Sequence, residues 1–218
     1  MKKEKILKKI LILVCMIMIV CINSFTIKAA SKKEKALQAY DEMLSRSSFN
    51  VKSDGMIGNK KIIVKYQTIN CSFAIAYIDK NSIPELIVQN FSDTSHVAGY
   101  GAIFTYKNGK VKQIAALSLN EFLKYYKKKG VIIDTYSGMG FSEQSYKKIS
   151  NGKIKAFAST SKNFGNPGSK KRVYYDAGYH RISKNNFNKL IKKYVKSTKP
   201  AKVEFIQNTI ENRRQYLK

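Results

Sequence analysis

Apolar residues recur at three- and four-residue intervals over residues 31–44, where Ala36, Leu37, Tyr40, Met43 and Leu44 alternate with charged side chains. That rhythm predicts an amphipathic helix. Ser31 opens the run and Glu34 follows three residues later, the pairing of a capping box. Residues 51–61 are polar and contain Gly55 and Gly58, so a loop is expected there. Beyond them the rhythm changes. Residues 62–66, 72–78, 85–88, 102–106, 111–114, 131–136, 145–149 and 153–157 are short runs rich in β-branched and aromatic side chains, each a predicted strand. Asn108-Gly109 and Asn151-Gly152 stand between neighbouring runs, a strong hairpin signal. Leu119, Phe122, Leu123 and Tyr126 suggest a short helix over 119–127, and Gly165, Pro167 and Gly168 put 159–171 in a loop. Ser183 can cap a helix carrying Phe187, Leu190, Ile191 and Tyr194 that ends before Pro200. A strand over 202–206 and a helix over 208–217 follow. Hairpins in series with flanking N- and C-terminal helices predict an α+β fold built on an antiparallel sheet. No Pro- or Ser-rich linker and no step in charge density divides residues 30–218, so one domain is expected.

Residues 1–9 carry Lys2, Lys3, Lys5, Lys8 and Lys9, and an unbroken apolar stretch fills residues 10–22. Ala29 and Ala30 then offer small side chains to a signal peptidase. This is the layout of a cleaved secretory signal over residues 1–29. A 13-residue apolar stretch spans only about 20 Å as a helix, short of the ~30 Å bilayer core. Cys15 and Cys21 follow valines, where lipidation needs a small residue. Without residues 1–29 only Cys71 remains, so no intramolecular disulfide can form and the fold must rest on its core. Cys71, flanked by apolar residues, reads as a buried structural thiol.

Charge changes the picture more than composition does. The chain holds 41 Lys and Arg against 14 Asp and Glu, a formal +27, and removal of residues 1–29 leaves +22. Only Arg46, Arg172, Arg181, Arg213 and Arg214 are arginines, so the excess is almost wholly lysine. Coding bias toward Lys would raise Glu as well, and Glu is scarce. Diffuse lysine charge suits loose contact with a polyanion better than bidentate recognition. For an exported chain the partner is an anionic cell-wall polymer or an anionic membrane surface, and not nucleic acid. The candidate contacts are Lys127, Lys128 and Lys129; Lys170, Lys171 and Arg172; Lys192 and Lys193; and Arg213 and Arg214.

The stretch from Phe73 to Val88 includes Asp79-Lys80-Asn81-Ser82-Ile83-Pro84-Glu85-Leu86. It resembles the D-x-D-G-D-G-x-P-E-L strand–loop–strand element of secreted, functionally uncharacterised Gram-positive proteins. That element is itself similar to the calcium loops of FG-GAP, integrin-like repeats, and weaker likeness extends over roughly residues 62–160. In such loops alternate carboxylates converge on the cation. The resemblance implies Asp79, Asn81 and Glu85 as metal-facing positions. Tyr77 stands where the first acidic residue would be, Ser82 replaces the turn glycine, and Lys80 adds a positive charge. The expectation is a retained strand–turn–strand without a cofactor, with a weak calcium site as the alternative.

His96 and Asp93, with a serine, permit a hydrolase to be drawn, yet no G-x-S-x-G, H-E-x-x-H or Cys–His pattern accompanies them. Gly138-x-Gly140 lacks the helix start of a phosphate cradle. The sequence therefore points to a secreted, strongly basic, non-enzymatic protein of the cell envelope, with an envelope hydrolase using the His96 loop as the alternative. If the leader is removed, N-terminal sequencing of the exported protein will read Ala30 or Ser31 as the first residue. Retention of residues 1–29 would make it a membrane-anchored protein instead.

Overall fold

The computed structural model describes residues 30–57, 60–90, 99–119, 123–138, 140–150, 153–163 and 171–218. The signal segment with Cys15 and Cys21, the Asp93–His96 loop, the Asn151-Gly152 turn and Lys170 lie outside the described residues. The helices are α1 (Lys32–Ser45), α2 (Lys184–Val195) and α3 (Ile210–Tyr216). The first strands are β1 (Ser48–Ile57), β2 (Lys60–Gln67), β3 (Cys71–Ala76), β4 (Glu85–Asn90), β5 (Gly99–Lys107), β6 (Lys110–Leu119) and β7 (Lys124–Tyr126). They are followed by β8 (Val131–Gly138), β9 (Phe141–Ser150), β10 (Lys153–Asn163), β11 (Val173–Asp176), β12 (Arg181–Ile182), β13 (Ala201–Lys202) and β14 (Ile206–Gln207). The mixed, antiparallel architecture agrees with the sequence pattern.

Among the described residues every strand pair is antiparallel. β1 and β2 pair alone; a five-stranded sheet runs β14-β3-β4-β5-β6, and a seven-stranded sheet runs β12-β11-β10-β9-β8-β7-β13. Side-chain alternation explains how the two larger sheets stack. Ile87 on β4, Ile103 on β5 and Ile132 on β8 meet in a core between them, with Ala76, Ile78, Leu123 and Val203. The next residues along, Leu86, Val88, Ala102 and Phe104, face the other way and pack under α1, the β1–β2 hairpin and Leu217. Val131, Ile133 and Phe157 likewise turn outward to meet Phe187 and Val195 of α2. Strands buried on both faces read as continuous apolar runs rather than alternating ones, as in Leu86-Ile87-Val88. Each of these three side chains is fully buried, which contributes about 1.5–3 kcal/mol apiece.

The helices formed as the spacing predicts. The five apolar residues of α1 are all buried. α2 starts behind Ser183, whose hydroxyl accepts from the Asn186 N–H, and α3 behind Thr209, which accepts from Asn212. Phe187 and Tyr194 of α2 cluster with Tyr146, Phe157 and Tyr174 of the sheet, so these rings serve the core.

Four expectations are corrected. Residues 51–61 hold most of β1 and the start of β2; the Ser53-Asp54-Gly55 stretch that reads as loop is absorbed by a register shift between Lys52 and Met56. The helix expected over 119–127 gives way, in its described part, to β7, because Leu123 and Tyr125 face the inter-sheet core while Tyr126 faces α2. Period two prevails there because β8 and β13 supply ladder partners. The loop expected from 159 begins later, since β9 and β11 hold Ser159–Ser161 in the sheet. Finally, the single strand expected over 202–206 is two short ones on different sheets: β13 pairs with β7, and β14 with β3. Between them the Val203 N–H donates to Leu123 O, and just past β14 the Asn208 N–H donates to Cys71 O, both at 2.9 Å.

Asn208 concentrates this stitching. Its Nδ2 donates to Leu44 O and Thr68 O, each at 3.0 Å, and its Oδ1 accepts from Arg213 Nη1 at 3.1 Å. Removing a buried donor shared by two carbonyls costs about 2 kcal/mol. We expect Asn208→Ala to lower the melting temperature by about 4–8 °C. Asn208→Asp, which would aim a carboxylate oxygen at two carbonyls, should cost more, and thermal unfolding followed by circular dichroism checks both.

Candidate functional site

The chain between β3 and β4 is a short loop whose side chains fold it upon itself. Asp79 Oδ1 accepts from the Asn81 N–H at 2.8 Å and Asp79 Oδ2 from Asn81 Nδ2 at 2.7 Å. Asn81 Oδ1 in turn accepts from the Ile83 N–H at 2.6 Å. These are Asx turns, the local bonds that Asp and Asn make in place of extended structure. Buried Pro84 closes the loop, its carbonyl accepting from the Tyr40 hydroxyl at 2.9 Å, which ties α1 to the loop's end.

Glu85 lies beneath, fully buried. Its Oε2 accepts from the Ile78 N–H at 2.9 Å, and its Oε1 has no hydrogen-bond partner. Burial pushes this carboxyl up to about 7 from the usual 4.5; the Ile78 N–H opposes the rise and the Asp79 charge adds to it. Burial, followed by the Glu85 charge, also raises the Tyr40 phenol well above its ordinary value. The donor set does not fit a calcium ion. Asp79 and Asn81 already spend their oxygens on the loop, and exposed Lys80 sits beside them. Among the described residues no group of three or more His, Cys, Asp or Glu is placed to hold a metal.

What the loop does instead is seat the lysine turn. Residues 127–130 connect β7 to β8, with Lys128 at φ 56° and Gly130 at φ 65°. A Cβ on Gly130 would meet the Ile149 carbonyl at 3.0 Å, so glycine is required for close approach as well as for its φ. The Lys128 N–H donates to Tyr77 O at 2.9 Å and the Gly130 N–H to Ile78 O at 2.7 Å. The turn is thus bolted to the strand end that leads into the loop. Lys127 and Lys128 are exposed and Lys129 is half-buried. Lys148 of β9 closes the group, its ammonium donating to the Lys129 carbonyl. Burial, then neighbouring Lys80, hold Lys148 below the ordinary lysine range, with Asp79 opposing.

The remaining candidate cations are spread out. Lys171 and Arg172 precede β11, and Arg172 Nη1 donates to Thr160 Oγ1 at 2.7 Å and Gln144 Oε1 at 3.2 Å. Lys192 and Lys193 are exposed in the last turn of α2, outside the seven-stranded sheet, where they complement the helix dipole. Arg214 is exposed on α3, outside the five-stranded sheet. Arg213 is held within the fold: its Nε donates to Asp41 Oδ1 at 2.9 Å and its Nη1 to Asn208. The sequence pattern offers Arg213 as a polyanion contact, whereas the fold commits it to Asp41 and Asn208, and no pattern along the chain groups Lys80 and Lys148 with the turn. His180 is exposed in the β11–β12 turn, with Nδ1 3.3 Å from Asp176.

Because Glu85 holds its proton more tightly in the folded state than in the unfolded one, its contribution is fully present below about pH 4.5 and lost as pH rises through about 7. The melting temperature should therefore decline between about pH 5 and pH 8. Glu85→Gln keeps an acceptor for the Ile78 N–H and should flatten that decline, leaving the variant the more stable protein at the alkaline end. An unchanged slope in the variant would remove Glu85 as its source.

No helix among the described residues is long and apolar enough to cross a membrane. No family model matches the chain, and no curated protein matches it. A solved structure, that of a Xanthomonas type IV secretion system related protein, is similar with a TM-score of 0.43 and 11% identity, covering 63% of this chain and 79% of that one.

Proposed function

We propose that this is a secreted, non-enzymatic protein whose residues 30–218 act as one domain and hold an anionic polymer of the bacterial cell envelope. The contact runs through Lys80, Lys127, Lys128, Lys129 and Lys148. The observation that carries this reading is that three separate elements bearing these lysines are bonded together: Lys128 to Tyr77 through the backbone, and the Lys148 ammonium to Lys129, with Lys80 and Asp79 neighbouring Lys148. A chain with a formal charge of +27 attracts polyanions generally. A preformed lysine group adds a place where several phosphates of a flexible polymer can be met without first ordering the protein. The candidate residues at 192–193 and 214 sit on other layers of the fold and contribute long-range attraction, which falls off over about 8 Å in physiological salt. The alternative, an envelope hydrolase using the His96 loop, rests on residues outside the described ones.

Purified protein should be retained on isolated cell walls that keep their teichoic acid and released from walls stripped of it. Each lysine contact frees a counterion, so retention should weaken at least about tenfold between roughly 0.1 M and 0.3 M salt. Lys127→Glu with Lys128→Glu should cost more than Lys192→Glu with Lys193→Glu. Retention that ignores salt, or survives stripping, would replace the polymer with an uncharged ligand. Retention by anionic vesicles alone would move the partner to the membrane surface.

A further inference from the structure

A cleft of about 840 Å³ opens between the second half of α1, β1 and the β5–β6 hairpin. One of its walls is a strand edge, since among the described residues β6 ends the five-stranded sheet. The hairpin register shows which backbone groups face outward. Asn108 and Gly109 have φ of 54° and 74°, the pair of positive values a two-residue type I′ turn needs. Lys107 and Lys110 flank the turn and form the hydrogen-bonded pair, so bonding to β5 alternates from there. Val111 and Gln113 fall at the intervening positions. Their N–H and C=O groups therefore point away from β5, the register shifting only beyond Gln113, and both residues line the cleft.

The Gln113 side chain already behaves as a neighbouring peptide would. Its Oε1 accepts from the Lys52 N–H at 2.8 Å, and its Nε2 donates to Lys52 O at 2.7 Å. This amide rung holds β1 beside β6 where no backbone ladder joins them among the described residues.

We propose that the β6 edge over Val111–Gln113 takes an added strand from an acidic partner polypeptide. The side-chain pattern selects that partner. On one face of β6, Val111 packs toward the core with Met43 and Phe104, and Phe49 lines the same cleft. On the other face Lys110 and Lys112 are exposed. An added strand would have to repeat this alternation, apolar toward α1 and acidic beside the lysines, because opposite charges pair across strands and like charges repel. Arg46 and Lys52 at the cleft add to the preference for acid; Glu42, which also lines it, accepts from Gln38 Nε2 at 3.2 Å. A second copy of this chain is the poorer occupant. Lysines on an exposed edge deter self-pairing, and each copy brings the same large positive charge.

The probe is a capped hexapeptide alternating Glu and Val, with a Lys–Val hexapeptide as its control. The full chain should bind the Glu–Val peptide saturably, and amide hydrogen exchange at Val111 and Gln113 should slow by at least about tenfold at saturation, as new backbone bonds require. Val111→Pro removes an outward N–H without touching the β5 ladder, a place where an edge strand tolerates proline. It should fold, by circular dichroism, and lose at least tenfold in affinity. Lys110→Glu with Lys112→Glu should do the same while leaving wall retention through Lys127 and Lys128 intact. The proposal is overturned if exchange at these amides is unchanged at saturation, or if the Lys–Val peptide protects them equally. It is equally overturned if Val111→Pro binds as the parent does, or if the protein alone dimerises with the same amides protected.

Discussion

Ile87, Ile103 and Ile132 meet between the two larger sheets, and the strands that carry them have apolar side chains on the opposite face as well. A strand with two apolar faces cannot sit at a surface. The five-stranded sheet therefore needs α1 and the β1–β2 hairpin over its outer side, and the seven-stranded sheet needs α2. The helices are consequences of the inter-sheet core rather than separate decorations of it. This order of dependence also fixes the loops. α1 can cover its sheet only if the chain between β3 and β4 lies where Tyr40 reaches the Pro84 carbonyl, and that loop in turn supports the lysine turn through Tyr77 and Ile78.

Local signals made much of this legible. α1, α2, α3 and the Asn108-Gly109 hairpin follow from spacing, caps and turn chemistry that act within a few residues. What spacing could not reveal was decided by distant partners. β1 runs through a Ser-Asp-Gly stretch because a side chain sixty-one residues away, Gln113, bonds both backbone groups of Lys52. β7 displaces a helical pattern because two strands offer it ladder bonds, and β10 outlasts its predicted end for the same reason. The site divides in the same way. Lys127-Lys128-Lys129 is visible as a run. Its alliance with Lys80 and Lys148 depends on the Lys128–Tyr77 bond and the Lys148–Lys129 bond, which no pattern along the chain announces. Arg213 misled for the same reason: its partner Asp41 is 172 residues away.

The loop between β3 and β4 is held together by its own side chains. Asp79, Asn81 and Glu85 are the residues that the sequence pattern offers as metal-facing positions. Yet two of the three bond within the loop, and the third is sealed beneath it. With Lys80 among them, internal hydrogen bonds supply the cohesion that a cation supplies where carboxylates face inward. The self-bonded loop, with Lys80 exposed on it, leads on from the Tyr77 and Ile78 carbonyls that hold the lysine turn.

Residues 201–208 belong to both large sheets, one end on β7 and the other on β3, and lie downstream of every other strand. During synthesis the chain emerges from its N-terminal end. Until these residues appear, β3 and β7 both present unpaired edges, and the core between the sheets lacks Val203. A partly made chain therefore carries two open templates for strand pairing with its neighbours. Residues 201–208 act as a clasp between the two sheets. Truncation just before them would leave most of the contacts in place and still yield a sticky molecule.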